Sequence, residues 1–281
     1  MPSSSSDPES NLLPFVPSQP FKLTVQPNPG WTYGQRIAET EDGRAWTEAG
    51  ERAGWRVIDT ATEDPRKLYQ ILISGIVPRP VAFVSSVSKD GVENLAPFSW
   101  FSEVSSRPPV ISFSCAYAGA SQDGPKDTAR NVRATRGFTV NIISEPWIEQ
   151  ANMCSIDTPP NVSEWAVSGL SKAPSISVKA PRVKESAFSM ECEFLEAIDI
   201  TLPSTGEVTA TLILGSIKYI HMRNDVVDPA RGVVDVGRLR PVARLGGLRY
   251  ARVTEGYDIS RERWAESKEK IREALEGEDD S

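Results

Sequence analysis

Apolar positions along this chain fall mostly in a period of two. Ile111, Phe113 and Cys115 alternate with Ser112 and Ser114 over residues 110–116, which predicts a strand with one apolar face. The same alternation sets Phe138, Val140 and Ile142 against Thr139 and Asn141. It recurs with Phe188, Met190, Cys192 and Phe194 against Ser189, Glu191 and Glu193. Residues 81–87 are rich in Val and lie between Pro80 and the hairpin signal Lys89-Asp90-Gly91. Residues 208–222 read as one long strand bent at Gly215, and 245–253 as the strand that closes the set. Helical spacing is sparser. Leu68, Tyr69 and Leu72 mark a helix over 65–73 stopped by Gly75, with shorter ones over 127–135, 146–154 and 163–170. The charged stretch 260–276 carries only Trp264, Ile271, Ala274 and Leu275 as an apolar stripe. Many alternating strands and few helices predict a mainly β fold, a closed or half-closed antiparallel barrel.

The flanks divide the chain further. Residues 1–20 are dense in Ser and Pro and read as disordered, because so few large apolar groups cannot offset the entropy of ordering. Residues 21–63 carry Trp31, Tyr33, Trp46 and Trp55. Rings of that size favour an extension packed on the main body, and a partner-binding arm is the other reading. The main domain is then 64–257, with a charged tail at 258–281.

Charge and residue usage narrow the chemistry. Lys plus Arg total 31 against 38 Asp plus Glu, a net charge of −7, which argues against a general nucleic-acid binder. A small local phosphate site is still compatible with it. No apolar run reaches membrane-spanning length. Three scattered cysteines and a start without a basic or apolar segment point to a reducing, cytoplasmic setting. With His221 the single histidine and no CxxC pair, a Cys/His zinc site is not expected. There is no GxSxG, Walker A or GxGxxG motif, so an enzymatic chain of this composition points to a cofactor as the carrier of the reaction.

Four segments could hold a ligand. In Asn94-Leu-Ala96-Pro97-Phe98-Ser99, Pro97 cannot donate to a ladder, so the amides around Phe98, Ser99 and Trp100 could face a ligand. A plain edge strand is the alternative. Ser112 and Ser114 share one strand face, aimed either at a polar ligand or at solvent. Gly124-Pro-Lys126-Asp127-Thr128-Ala-Arg-Asn131 reads as a helix start, with Asp127 or Thr128 as cap and Lys126 beside the free amides. It is an anion site or an ordinary capped helix. Paired glycines in Arg244-Leu-Gly-Gly247 suit a bulge or a close backbone approach, with Arg244 in reach of an anion. His221 is either a catalyst or a satisfied structural group.

In order, the segments 76–85, 90–91, 94–101, 108–114, 126–131, 138–141, 164–170, 181–192, 214–221 and 244–250 resemble the flavin reductase-like family. The likeness is greatest to the branch of flavoredoxin-like proteins and of proteins related to the reductase component of nitrilotriacetate monooxygenase. The resemblance implies an FMN-binding split β-barrel with Greek-key strands and a few short flanking helices. It also implies a homodimer with non-covalent FMN near the interface. Asn94, Ala96, Pro97, Phe98 and Ser99 would lie along the ring. Ser112, Ser114, Lys126, Asp127 and Thr128 would serve the ribityl chain and phosphate, with Asn131 in support. NAD(P)H is the implied reductant, although the Gly-Asp-His segment of many such reductases has no counterpart here. The function implied is an NAD(P)H-linked flavin reductase. An FMN enzyme acting directly on an organic substrate, or a flavin carrier serving an electron-acceptor protein, are the alternatives.

Overall fold

The computed structural model describes residues 12–16, 20–117 and 125–278. Most of the Ser/Pro-rich stretch and Gly124 lie outside the described residues. Contacts divide the chain into two units. The first holds residues 78–245 and 249–254 with the described part of the first 21. The second holds residues 22–77, 246–248 and the described part of 255–281.

The first unit is built on seven strands: β1 Ala82–Val87, β2 Glu93–Phe98, β3 Phe101–Ser106, β4 Pro109–Ala116, β5 Gly137–Ile142, β6 Phe188–Thr201 and β7 Val208–Met222. They form one antiparallel sheet in the order β2-β1-β5-β6-β7-β4-β3. Its two edges, β2 and β3, are consecutive strands joined by the corner Ser99-Trp100, so the sheet curls back on itself. Ser114 N donates to Trp100 O at 2.9 Å, and the Phe98 and Phe113 rings pack 5.2 Å apart across the gap.

Inside the curl, Val84, Ile111, Phe113, Phe138, Val140, Cys192 and Ile213 form the core, with Ala129 and Val132 of the Asp127–Thr135 helix packed into it. A second apolar cluster covers the opposite face of β1 and β2, where Phe83 and Leu95 meet Trp147, Ala151, Cys154 and Trp165. Every residue of β1 is therefore buried. The second cover also explains why Thr139 and Asn141, on the polar side of the alternation, are fully buried. Asn141 satisfies that burial through Phe83 O, Val183 N and the Ser189 hydroxyl.

The long strand breaks register between Leu214 and Gly215. A Cβ at Gly215 would lie 2.4 Å from Phe138 Cζ, so the core ring itself demands glycine there. Residues 245–253 do not form one closing strand. Val242–Arg244 and Tyr250–Arg252 pair in a small sheet of their own, and Leu245 N donates to Arg249 O across the turn between them. The predicted 163–170 helix is a single turn, Trp165–Ser168.

In the second unit, the Pro65–Gly75 helix is capped by Asp64, whose carboxylate accepts from Arg66 N at 2.7 Å. Gly246 approaches its residue Ser74, where an added Cβ would stand 3.0 Å from Ser74 Cα. This is the close backbone approach that the paired glycines predict. The Glu41–Ala53 and Trp264–Glu278 helices and a parallel pairing of Lys22–Thr24 with Glu255–Tyr257 complete the unit. Trp31 and Tyr33 meet edge to face at 5.4 Å, while Trp46 and Trp55 are exposed.

Candidate functional site

A cleft of about 360 Å³ opens where three stretches of the barrel unit meet. One wall is the β2 edge from Asn94 to Phe98, one is the start of the Asp127–Thr135 helix, and one is the segment from Cys154 to Glu164. Seven predicted residues line it: Asn94, Ala96, Pro97, Phe98, Lys126, Asp127 and Thr128. Asn131 stands behind it. Ser99, Ser112 and Ser114 are not part of its lining. The Ser99 hydroxyl accepts from Arg79 Nε at 3.3 Å. Ser112 and Ser114 are half-buried, on the side of β4 opposite Phe113.

Pro97 sits next to the last residue of an edge strand, where its missing N–H breaks no ladder bond. In an antiparallel ladder the outward-facing groups come from alternate residues. Pro97 is one of these, and so is Leu95. Phe98 is registered opposite Ala82 in the β1 ladder, so its amide is turned away from the open edge, contrary to the expectation that it is free for a ligand.

The polar floor of the cleft is a closed network. Asn94 Oδ1 accepts from the Thr128 hydroxyl at 2.8 Å and the Ser86 hydroxyl at 3.4 Å, while Asn131 Nδ2 donates to Ser86 Oγ at 3.2 Å. Asn94 Nδ2 donates to Glu164 Oε2 at 2.9 Å, and Leu95 N donates to the same oxygen at 2.9 Å. The Thr158 hydroxyl closes on Glu164 Oε1. These bonds tie all three walls together. Glu164, Ser86 and Thr158 are members that sequence reasoning gave no role; two partners of Glu164 lie 69 and 70 positions away.

Lys126 occupies the N-cap position of the Asp127–Thr135 helix, and its side chain makes no capping hydrogen bond. Its side chain is exposed and makes no ion pair among the described residues. The expectation that Asp127 caps the helix fails. Asp127 is the first helical residue, and its carboxylate pairs with Arg130 one turn on. Burial raises the Asp127 carboxyl above its ordinary range; Arg130 pulls it back, and Glu164 and Asp157 add to the rise.

His221 stands apart from the cleft lining. Its Nε2 lies 2.7 Å from Oε1 of the fully buried Glu191, which also takes the amides of Ile176 and Ser177 and the Ser177 hydroxyl. Burial pushes that carboxyl up, but those four donors outweigh it and hold it at about 2. The structural reading of His221 is the one this geometry supports. Arg244 stacks 4.4 Å over the Tyr250 ring. All three cysteines are free and buried. Among the described residues no cluster of His, Cys, Asp and Glu could hold a metal, and no helix is long and apolar enough to cross a membrane.

The chain is thus a mainly antiparallel barrel closed at one corner, with its cleft at a strand edge and a helix start. The flavin reductase like domain family matches residues 74–240, and the chain belongs to that family. Nitrilotriacetate monooxygenase component B from Bacillus cereus is 32% identical and superposes with a TM-score of 0.69, covering 73% of this chain and 99% of that one. The 2-nitrobenzoate 2-nitroreductase of Pseudomonas fluorescens is 25% identical, with a TM-score of 0.65 over 74% of this chain and 98% of its own. A protein with a split barrel domain from Shewanella frigidimarina shares the fold at 20% identity, with a TM-score of 0.60 over 75% and 99% of the two chains. The fold is thus the split barrel that the family resemblance implies, and it agrees with the half-closed antiparallel barrel that the alternating strands predict.

Proposed function

We propose that this chain is an FMN-dependent oxidoreductase, read best as an NAD(P)H-linked flavin reductase, with FMN held non-covalently in the cleft. The carrying observation is the exposed Lys126 ammonium at a helix N-terminus that no side chain caps among the described residues, on the rim of a cleft that the β2 edge also lines. A helix start of this kind favours phosphate through its amides and dipole. The volume falls within the usual range for small-molecule pockets, about 300–1,000 Å³. FMN bound there would supply the redox chemistry, hydride acceptance and electron transfer. The chain's own part is to bind and orient. Lys126 and the first-turn amides hold the phosphate, Ala96 to Phe98 lie along the ring, and the Asn94–Thr128–Glu164 network keeps the walls at fixed spacing.

Ser112 and Ser114 stand outside the cleft lining of a single chain. A homodimer with FMN near its interface is the arrangement in which they could serve the same ligand. Light scattering should therefore show a dimer, or an assembly of dimers; a monomer with full flavin occupancy would contradict this. The purified protein should be yellow, or should take up about one FMN per chain. Anaerobic NADH or NADPH should then bleach it. A colourless protein that refuses FMN ends the proposal. Bleaching only by another reductant, with turnover of a nitroaromatic compound, would favour an enzyme acting directly on an organic substrate. The likeness to the nitroreductase is the observation behind that second reading.

A further inference from the structure

Glu164 is 3% exposed and lines the cleft, yet no Lys, Arg or His pairs with it among the described residues. Its oxygens accept three donors, the Asn94 carboxamide, the Leu95 amide and the Thr158 hydroxyl. Oε2 takes two N–H donors and Oε1 meets a hydroxyl, a set of partners that suits a carboxylate. A glutamine could tie the same walls, accepting from Asn94 and Leu95 and meeting the Thr158 hydroxyl with its amino group. Burying a charge where a neutral isostere would serve is costly. The charge itself therefore needs an explanation beyond the tie. Its field also reaches its neighbours: burial is the main cause that raises the Asp127 carboxyl and the Cys154 thiol, and Glu164 adds to both.

We propose that Glu164 sets the reducing power of the flavin bound in this cleft, an inference that rests on the flavin reading above. Oxidised flavin takes up two electrons and one proton at neutral pH, which leaves one added negative charge on the ring. At an effective dielectric of about 20, two charges about 12 Å apart repel by ~1.4 kcal/mol, a tenfold factor. Glu164 Oε2 lies 2.9 Å from the amide of Leu95, the residue next to the Ala96–Phe98 stretch placed along the ring, so the two charges stand within that range. The Glu164 carboxylate therefore weakens binding of reduced flavin against oxidised flavin by about tenfold, and makes the bound flavin the stronger reductant.

The test compares FMN affinities of the apoprotein in air and under dithionite. Glu164→Gln should tighten reduced relative to oxidised FMN about tenfold, equivalent to a rise of ~30 mV for a two-electron couple. Thr158→Val removes one donor and leaves the charge less screened, so it should move the ratio about two- to threefold the other way. A purely structural tie would shift both affinities together and leave the ratio fixed in each variant, which overturns the inference. If Glu164→Gln does not fold, Thr158→Val decides alone, and a ratio that is unmoved or raised overturns it. A wild-type chain that takes up no FMN overturns the flavin reading and this inference with it. Normal FMN uptake with unmoved ratios overturns this inference only.

Discussion

Lys126→Ala lowers FMN affinity ten- to hundredfold and leaves riboflavin affinity nearly unchanged. The phosphate of FMN carries close to two negative charges, and riboflavin has none. The chain is acidic overall, and the cleft lining includes Asp127, Asp157 and Glu164. Asp127 is compensated by Arg130, and the Glu164 charge is held by donors on the floor. Among the described residues at the helix start that leaves Lys126 as the full positive charge, next to amides that no described side chain caps. A hydrogen bond to a charged group contributes roughly 1.5–3 kcal/mol, which is about ten- to hundredfold in affinity. Apoprotein titrations with both ligands measure it. Equal losses for FMN and riboflavin would place the phosphate elsewhere and give Lys126 a role in folding or ring contacts.

The second large effect concerns acid stability. Glu191 is fully buried, and its carboxyl is held at about 2 against an ordinary 4.5. A carboxyl whose folded value is depressed contributes stability that is complete above its unfolded value and is lost as pH falls through the folded one. For Glu191 that window runs from about 4.5 down to about 2 and amounts to about 3 kcal/mol. Urea unfolding of the wild-type chain should show this slope. Glu191→Gln should be less stable by about 2–3 kcal/mol at pH 7, with the gap closing as pH falls toward 2. Parallel curves for the two proteins would mean that the four donors do not act through the charge. The effect belongs to the barrel rather than the cleft, since the carboxylate pins Ile176 and Ser177 against β6 and His221 on β7.

Strands with one dry face announced themselves. In β4 the buried Ile111, Phe113 and Cys115 alternate with half-buried serines, as the sequence pattern demands. The β6 strand was legible only to Phe194, because from Leu195 to Thr201 most residues are exposed and the period of two loses its contrast. The Glu41–Ala53 helix was not legible at all. Its Trp46 is exposed and Gly43 its single buried residue, so no apolar stripe marks it. For the site, proline chemistry and helix-start chemistry marked β2 and the Asp127–Thr135 helix as separate candidates, and the family resemblance placed them at one ligand; the structure brings both to the same cleft. The third wall was missed in its details. Glu164 draws its meaning from Asn94 and Leu95, and Glu191 from His221 and the 176–177 loop, partners that no local pattern joins. Asp127 was misjudged for a local reason, the competing ion pair with Arg130 three residues on.

The β2 edge also bears on association between unfolded and folded chains. An open strand edge is a template on which a foreign strand can grow into an aggregate. Along β2 the outward positions include Pro97, which has no N–H to offer, and Leu95, whose N–H is already taken by Glu164. An incoming strand laid there would find acceptors without the matching donors, and its own carbonyls would lose their partners at two successive positions. The features that shape one wall of the cleft thus also guard this edge of the barrel against strand addition, so that a ligand can approach it while a polypeptide ladder cannot extend it.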